Sequence, residues 1–256
     1  MNKLEYAMVE VLKKLKYEYG VFEIKAEFEA EGSRMEEMMR LKDITTYVGL
    51  PIILKIGGVE AVTDVYNALS IGVKGIIAPM VETQFALSKY LNMIKTMIAE
   101  DNAKDIEFAF NLETLTALLH LKLMLELDTS MLSGITIGRV DLTNSLDKGR
   151  EEINSDSVSF YCEEALKTIK AYGLKTGLGG GISKEALPVI ERLCHLLDKF
   201  ETRKVVFPIE SRKYGEDIIN TALKFELLWL QSKRRYYSRI KTEDEKRILM
   251  LEERLK

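Results

Sequence analysis

Two short runs decide how this chain folds: Phe110-Asn111-Leu112-Glu113-Thr114 and Ile137-Gly138-Arg139-Val140-Asp141-Leu142. Each is rich in β-formers, ends in a carboxylate and leads into a segment with helical spacing of its apolar residues. As neighbouring strands of one parallel sheet, they would release Glu113 and Asp141 side by side at the same end. Two carboxylates at one rim can hold a hard divalent cation. The structural alternative is that Glu113 caps the following helix and Asp141 makes a turn hydrogen bond.

The same β-then-α unit repeats on both sides of these runs. Residues 3–18 place Leu4, Met8, Leu12 and Leu15 at helical spacing. Residues 21–30 alternate, with Phe22, Ile24, Ala26 and Phe28 on one face and Glu23, Lys25, Glu27 and Glu29 on the other. That is a strand with one charged face. Ser33 reads as the N-cap of a helix over residues 34–47, with Glu36 as the capping-box acid. Further strands are expected at 51–56, 73–79, 106–112, 131–140, 175–178 and 204–207, with helices between them. The count is seven β-then-α units with a helix in front.

Strands alternating with helices predict an α/β fold with a parallel sheet. No Gly-x-Gly-x-x-Gly turn follows the first strand, which disfavours an open dinucleotide-binding sheet. The expectation is a (β/α)8 TIM-type barrel over residues 1–214, with one strand missing or irregular near the N-terminus. Residues 215–256 form a C-terminal helical extension. Ile218, Ile219, Leu223, Leu227, Leu228, Trp229 and Leu230 make its first helix apolar nearly all round, so it must be buried. A contact between subunits of a homo-oligomer is the expected cover, and packing on the chain's own barrel is the alternative. Thr242 and Glu245 then form a capping-box pattern before a last helix carrying Ile248, Leu251 and Leu255.

Bulk properties exclude several function classes. The chain has 256 residues and a net charge of −3, which argues against a dedicated nucleic-acid surface. No apolar run approaches the ~20 residues of a membrane span, and no signal-type segment opens the sequence. The two cysteines, Cys162 and Cys194, have no metal-type spacing and suit a reducing compartment. The expected location is the cytoplasm.

Three segments resemble the HpcH/HpaI aldolase and citrate lyase β-subunit family. Gly75-Ile76-Ile77-Ala78-Pro79-Met80-Val81 is similar to that family's Gly-Val-x-Val-Pro-Met-Val. Asn111-Leu112-Glu113-Thr114 matches its Ile-Glu-Thr strand end, and residues 137–146 match its Ile-Gly-Pro-Asn-Asp-Leu-x-x-Ser-Leu. The order and approximate spacing also agree, and the resemblance covers roughly residues 20–210. It implies a modified (β/α)8 barrel that makes or breaks carbon–carbon bonds beside a pyruvate or acyl-CoA enolate. It also implies Mg2+ or Mn2+ held by Glu113 and Asp141, and Lys55 where the family carries an Arg that steadies the 2-oxo acid. The family's general-base His has no counterpart, because Ala30 stands near its position.

Lys55 is therefore a candidate for catalysis and for binding a substrate carboxylate. It could equally pair with Glu27 or Glu29, and a desolvated lysine could also form a Schiff base. Glu27 and Glu29 are candidate bases, since crowded carboxylates have raised pKa values. Arg139 and Arg34 are candidate anion ligands. Gly179-Gly180-Gly181 reads first as a tight turn, and Pro208-Ile209-Glu210-Ser211 as a strand end at the same mouth. His120 and His195 read as helix-surface or packing residues. The expected function is a metal-dependent carbon–carbon lyase or aldolase acting on a 2-oxo acid. The alternatives are phosphoenolpyruvate-linked or hydrolytic chemistry on the same fold, or a non-catalytic oxo-acid-binding or assembly protein.

Overall fold

Eight strands close into one ring. In the computed structural model, which describes residues 1–236 and 242–256, they are β1 (Glu23–Glu27), β2 (Ile52–Lys55), β3 (Gly75–Ala78), β4 (Glu107–Leu112), β5 (Leu132–Gly138), β6 (Lys175–Gly179), β7 (Lys199–Glu201) and β8 (Val205–Pro208). They follow chain order around a closed barrel. β1 to β7 run parallel, and β8 is antiparallel to both β7 and β1. The irregular strand is thus at the C-terminal side of the barrel, not near the N-terminus. The missing unit was Lys199–Glu201, three residues long. A hairpin through Thr202-Arg203-Lys204 joins it to β8, so those residues sit at the rim where the parallel strands end.

Helices α1 (Lys3–Tyr17), α2 (Met35–Val48), α3 (Val62–Ile71), α4 (Gln84–Met97), the single-turn α5 (Glu100–Ala103), α6 (Leu115–Leu125), α7 (Arg139–Ser145), α8 (Asp156–Ala171), α9 (Leu187–Leu193), α10 (Glu216–Tyr236) and α11 (Thr242–Arg254) complete the fold. Asn2 caps α1 by accepting from the N–H groups of Leu4 at 2.8 Å and Glu5 at 3.1 Å. α2 begins one residue later than expected. Arg34 is its N-cap, and Glu37 rather than Glu36 reaches back to the Arg34 N–H, at 2.9 Å.

The main core lies between the strands and the helices, where Ile24, Leu54, Ile76, Phe110 and Ile137 are fully buried. Alternate residues point into the ring. There Ile53, Ile77, Ala109 and Val206 make a separate apolar cluster. The charged face of β1 also points inward: Lys25 pairs with Glu201, Glu27 with Arg203 at 3.0 Å, and Glu23 more loosely with Lys199 at 3.9 Å. The Lys25–Glu201 and Glu23–Lys199 pairs span β8, whose inward residue there is the uncharged Val206.

α10 packs against α1. Ile218, Ile219, Leu223, Phe225, Trp229 and Leu230 belong to the same core as the barrel. Its apolar side packs within the chain's own core. α11 is fastened to α10 by Arg247, whose guanidinium grips the buried Glu226 carboxylate at 2.6 and 2.9 Å. The cap expected at Thr242 borders residues 237–241 and lies outside the described side chains. No helix among the described residues is long and apolar enough to cross a membrane.

Candidate active site at the barrel mouth

β4 and β5 are paired in parallel, with Leu112 opposite Ile137. Glu113 therefore leaves the sheet next to Gly138, and Asp141 follows in the first turn of α7. Both side chains line one cavity of about 480 Å3 at the C-terminal rim, the end where barrels of this type carry their chemistry. Gly138 is needed there for clearance, because a Cβ at that position would lie 2.6 Å from both Cγ and Oε1 of Glu113.

Glu113 is buried and fixed from three sides. Its Oε1 accepts from Asn111 Nδ2 at 3.0 Å and lies 3.4 Å from Lys55 Nζ. Its Oε2 accepts from the Met80 N–H at 3.2 Å. Met80 follows Pro79 and has a left-handed backbone with φ of 51°, a conformation that costs energy in a non-glycine residue and concentrates at functional sites. Glu113 does not cap α6. Thr114 does, accepting from the Ala117 N–H at 3.1 Å.

Asp141 makes no hydrogen bond among the described residues. Partial burial raises its pKa, and the neighbouring charge of Glu113 raises it further, against the pull of Lys55. The two carboxylates are thus electrostatic neighbours, with Lys55 beside Glu113 and no ion pair on Asp141 among the described residues. Beside them, Asn111 Oδ1 is buried without a partner. An unsatisfied oxygen of this kind calls for a donor or an ion. No group of three or more His, Cys, Asp or Glu side chains gathers around a common point among the described residues. The donor set fits a hard cation such as Mg2+, which takes one or two carboxylates and completes its shell with water and substrate oxygens.

Lys55 ends β2 within the same site. It lies 2.6 Å from Glu29 Oε2 and 3.4 Å from Glu113 Oε1. Burial alone would lower its pKa, but Glu113, the contact with Glu29 and the charge of Glu27 override this and hold the ammonium well above the usual lysine range. A Schiff base needs the neutral amine, which these carboxylates disfavour. The ammonium remains suited to holding an anionic oxygen.

Glu27 is not the activated base expected from carboxylate crowding. Burial would raise its pKa, but Arg203, Lys25, Lys204 and Lys55 together bring it below the usual carboxylate range. Arg203 binds it at 3.0 Å and also reaches Glu31 at 3.3 Å. Glu29 is engaged by Lys55. Ala30 does line the cavity, leaving open space at the position of the motif histidine. His120 Nδ1 contacts the Glu82 carbonyl at 3.0 Å on the outside of the barrel, and His195 is exposed on the helical layer.

Arg139 is not a substrate ligand. Its side chain is fully buried and contacts the Gly180 carbonyl at 2.9 Å, Asn154 Oδ1 at 2.8 Å and the Ile153 carbonyl at 3.3 Å. Burial without a facing carboxylate lowers its pKa to about 10. It ties the β6 turn to the segment after α7. Gly180, with φ of 78°, lets that turn pass within 2.7 Å of the Arg139 and Val140 nitrogens, measured from where a Cβ would be. The three-glycine run is therefore a close-approach turn. Arg34 is exposed at the start of α2 and does not line the cavity. Pro208–Ser211 lies at the opposite end of the barrel, because β8 runs backwards; Ser211 Oγ donates to the Tyr19 carbonyl at 2.5 Å.

Several lining residues were not foreseen. Lys25 and Glu201 line the floor, Arg150 one wall, and Lys246, Arg247, Met250 and Arg254 of α11 close over the mouth. The spacing of these four places them on one face of the last helix, a signal present in the sequence. Nothing in the sequence says that this face turns back to the barrel.

No protein-family model matches the sequence, and no curated protein matches it. Solved structures do. One is the citrate synthase SbnG, with a TM-score of 0.62 at 15% identity over 78% of this chain and 82% of that one. Another is an HpcH/HpaI aldolase from Desulfitobacterium hafniense DCB-2, with a TM-score of 0.59 at 14% identity over 75% and 80%. A third is an HpcH/HpaI aldolase/citrate lyase family protein from Burkholderia cenocepacia J2315, with a TM-score of 0.58 at 15% identity over 77% and 82%. This chain has the TIM-type barrel fold of those HpcH/HpaI aldolase and citrate lyase structures.

Proposed function

We propose that this chain is a divergent HpcH/HpaI-type enzyme that makes or breaks a carbon–carbon bond beside the enolate of a 2-oxo acid. Glu113 and Asp141 would hold Mg2+ or Mn2+. The observation that carries the reading is that both carboxylates line one cavity just beyond the paired strands β4 and β5, beside the unsatisfied Asn111 Oδ1. A bound divalent cation would supply Lewis-acid stabilisation of the charge that develops on the keto oxygen.

The chain's own residues do the rest. Lys55, protonated and at the same rim, would bind the substrate carboxylate, more loosely than an arginine fork would. The Met80 N–H and Asn111 amide fix the Glu113 carboxylate, so its geometry is set before substrate arrives. α11 over the mouth would limit water at the reacting carbon. Among the two candidate bases, Glu29 is favoured over Glu27, whose lowered pKa makes it a weak proton acceptor. We place the reaction in the cytoplasm.

A second reading has one observation in its favour. Both candidate acids are held in ion pairs and the histidine position is Ala30, so the site could bind an oxo acid without turning it over. Metal-dependent exchange of the pyruvate methyl protons for deuterium separates the two. Exchange in the parent chain, lost in Glu113→Gln and in Asp141→Asn, supports the enzyme. Saturable pyruvate binding with no exchange supports the binding protein.

A further inference from the structure

The cavity holds more than a pyruvate-sized acid needs. At about 480 Å3 it falls within the ~300–1,000 Å3 range of pockets that bury drug-sized ligands. In its inner half every cation already faces a carboxylate. Lys25 faces Glu201, Lys55 faces Glu29 and Glu113, and Arg203 faces Glu27. Its outer half differs. Arg150, Lys246 and Arg254 line the mouth and make no ion pair or hydrogen bond among the described residues. Two acids act on Arg254 from a distance: Glu226, which pairs with Arg247 at 2.6 Å, and Glu185, which accepts from Ser183 Oγ at 2.5 Å and keeps its charge.

These cations come from two distant parts of the chain. Arg150 follows α7, and the other two lie on α11. Arg254 feels the cost of the arrangement. Burial lowers its pKa first, and the like charges of Arg247 and Arg150 lower it further. Like charges gathered on one cavity wall with no ion pair of their own favour an anion, and paired arginines suit the multiple oxygens of a phosphate. We infer that Arg150, Arg254 and Lys246 bind a phosphate group carried by the substrate, at the far end from Glu113 and Asp141, with α11 as the part of the wall that covers it. This rests on the proposed oxo-acid reading for the substrate's reactive end only.

The test is titration of the full chain with inorganic phosphate, by calorimetry, without metal or pyruvate. The expected result is saturable binding, weakened about tenfold or more in Arg150→Ala and in Arg254→Ala, as for loss of a charge-assisted hydrogen bond. Arg254→Lys, which keeps the charge, should lose less, and Glu113→Gln should bind phosphate as the parent does. Thermal unfolding of each variant checks that it is folded. The inference is overturned if the parent shows no saturable binding, or if both arginine variants bind normally. It is also overturned if Lys55→Met abolishes binding while the arginine variants keep it, since the phosphate would then sit at the inner carboxylate position. Phosphate binding with no pyruvate exchange would instead sink the proposed function and leave this site standing.

Discussion

Gly138→Ala offers a sharp probe of how the site is built. The backbone at Gly138 has φ of −92° and ψ of 93°, which alanine can adopt, so any effect is steric. The added Cβ would lie 2.6 Å from Glu113 Cγ, whereas carbon atoms rest about 3.5–4.0 Å apart. Glu113 must therefore shift by about 1 Å. That shift breaks its contacts with Asn111, Met80 and Lys55. Overpacking of this kind costs about 1–3 kcal/mol, and for a chain of this size each kcal/mol lowers the melting temperature by roughly 2–4 °C. A displaced ligand should also weaken divalent-cation binding by about 10–100-fold, the range seen when a ligand's support is removed. Thermal unfolding and Mn2+ calorimetry read the two effects on one sample. Gly58→Ala, where a Cβ would meet nothing within 4 Å, is the control and should change neither. A Gly138→Ala protein with parental melting and parental Mn2+ affinity would refute the packing argument.

Three further outcomes follow from the buried charges. Burial raises the Glu23 carboxyl to about 6, only partly offset by Lys199 at 3.9 Å. A raised carboxylate pKa costs stability above it and nothing below the unfolded value of 4.5, so Glu23→Gln should gain up to about 2 kcal/mol at pH 7. That gain should shrink as pH falls from 6 to 4.5, read by urea unfolding at each pH. Arg247→Met strands the buried Glu226 carboxylate and should cost about 3–5 kcal/mol, measured by the same unfolding. Arg139→Met leaves the Gly180 and Ile153 carbonyls without their donor, at about 1–3 kcal/mol each. Its signature should be lost stability with phosphate affinity retained.

The barrel was legible because its strands are apolar on the helix side and its helices follow at regular intervals. Glu113 and Asp141 were legible because each ends a strand with its own segment pattern. What stayed hidden depended on direction. β1 advertised a charged face through Glu23, Lys25 and Glu27, but alternation alone cannot say that this face fills the ring. β7 was overlooked because Lys199-Phe200-Glu201 is short and carries two charges, which inside this barrel are paired. Arg139 looks like a ligand from its place beside Asp141, yet its side chain is buried under the β6 turn and does not line the cavity. The apolar length of α10 says that it is buried, but nothing local shows that α1 covers it. The cations of α11 meet Arg150 only through a fold-back that sequence separation conceals.

The central claim is that Glu113 and Asp141 together hold a divalent cation at the barrel mouth. Mn2+ titration of the full chain, followed by electron paramagnetic resonance of the free ion, tests it most directly. The expected result is one saturable site per chain, lost in Glu113→Gln and in Asp141→Asn while both variants keep their folded melting transition. No saturable Mn2+ binding by the parent chain, or undiminished binding by both variants, would contradict it.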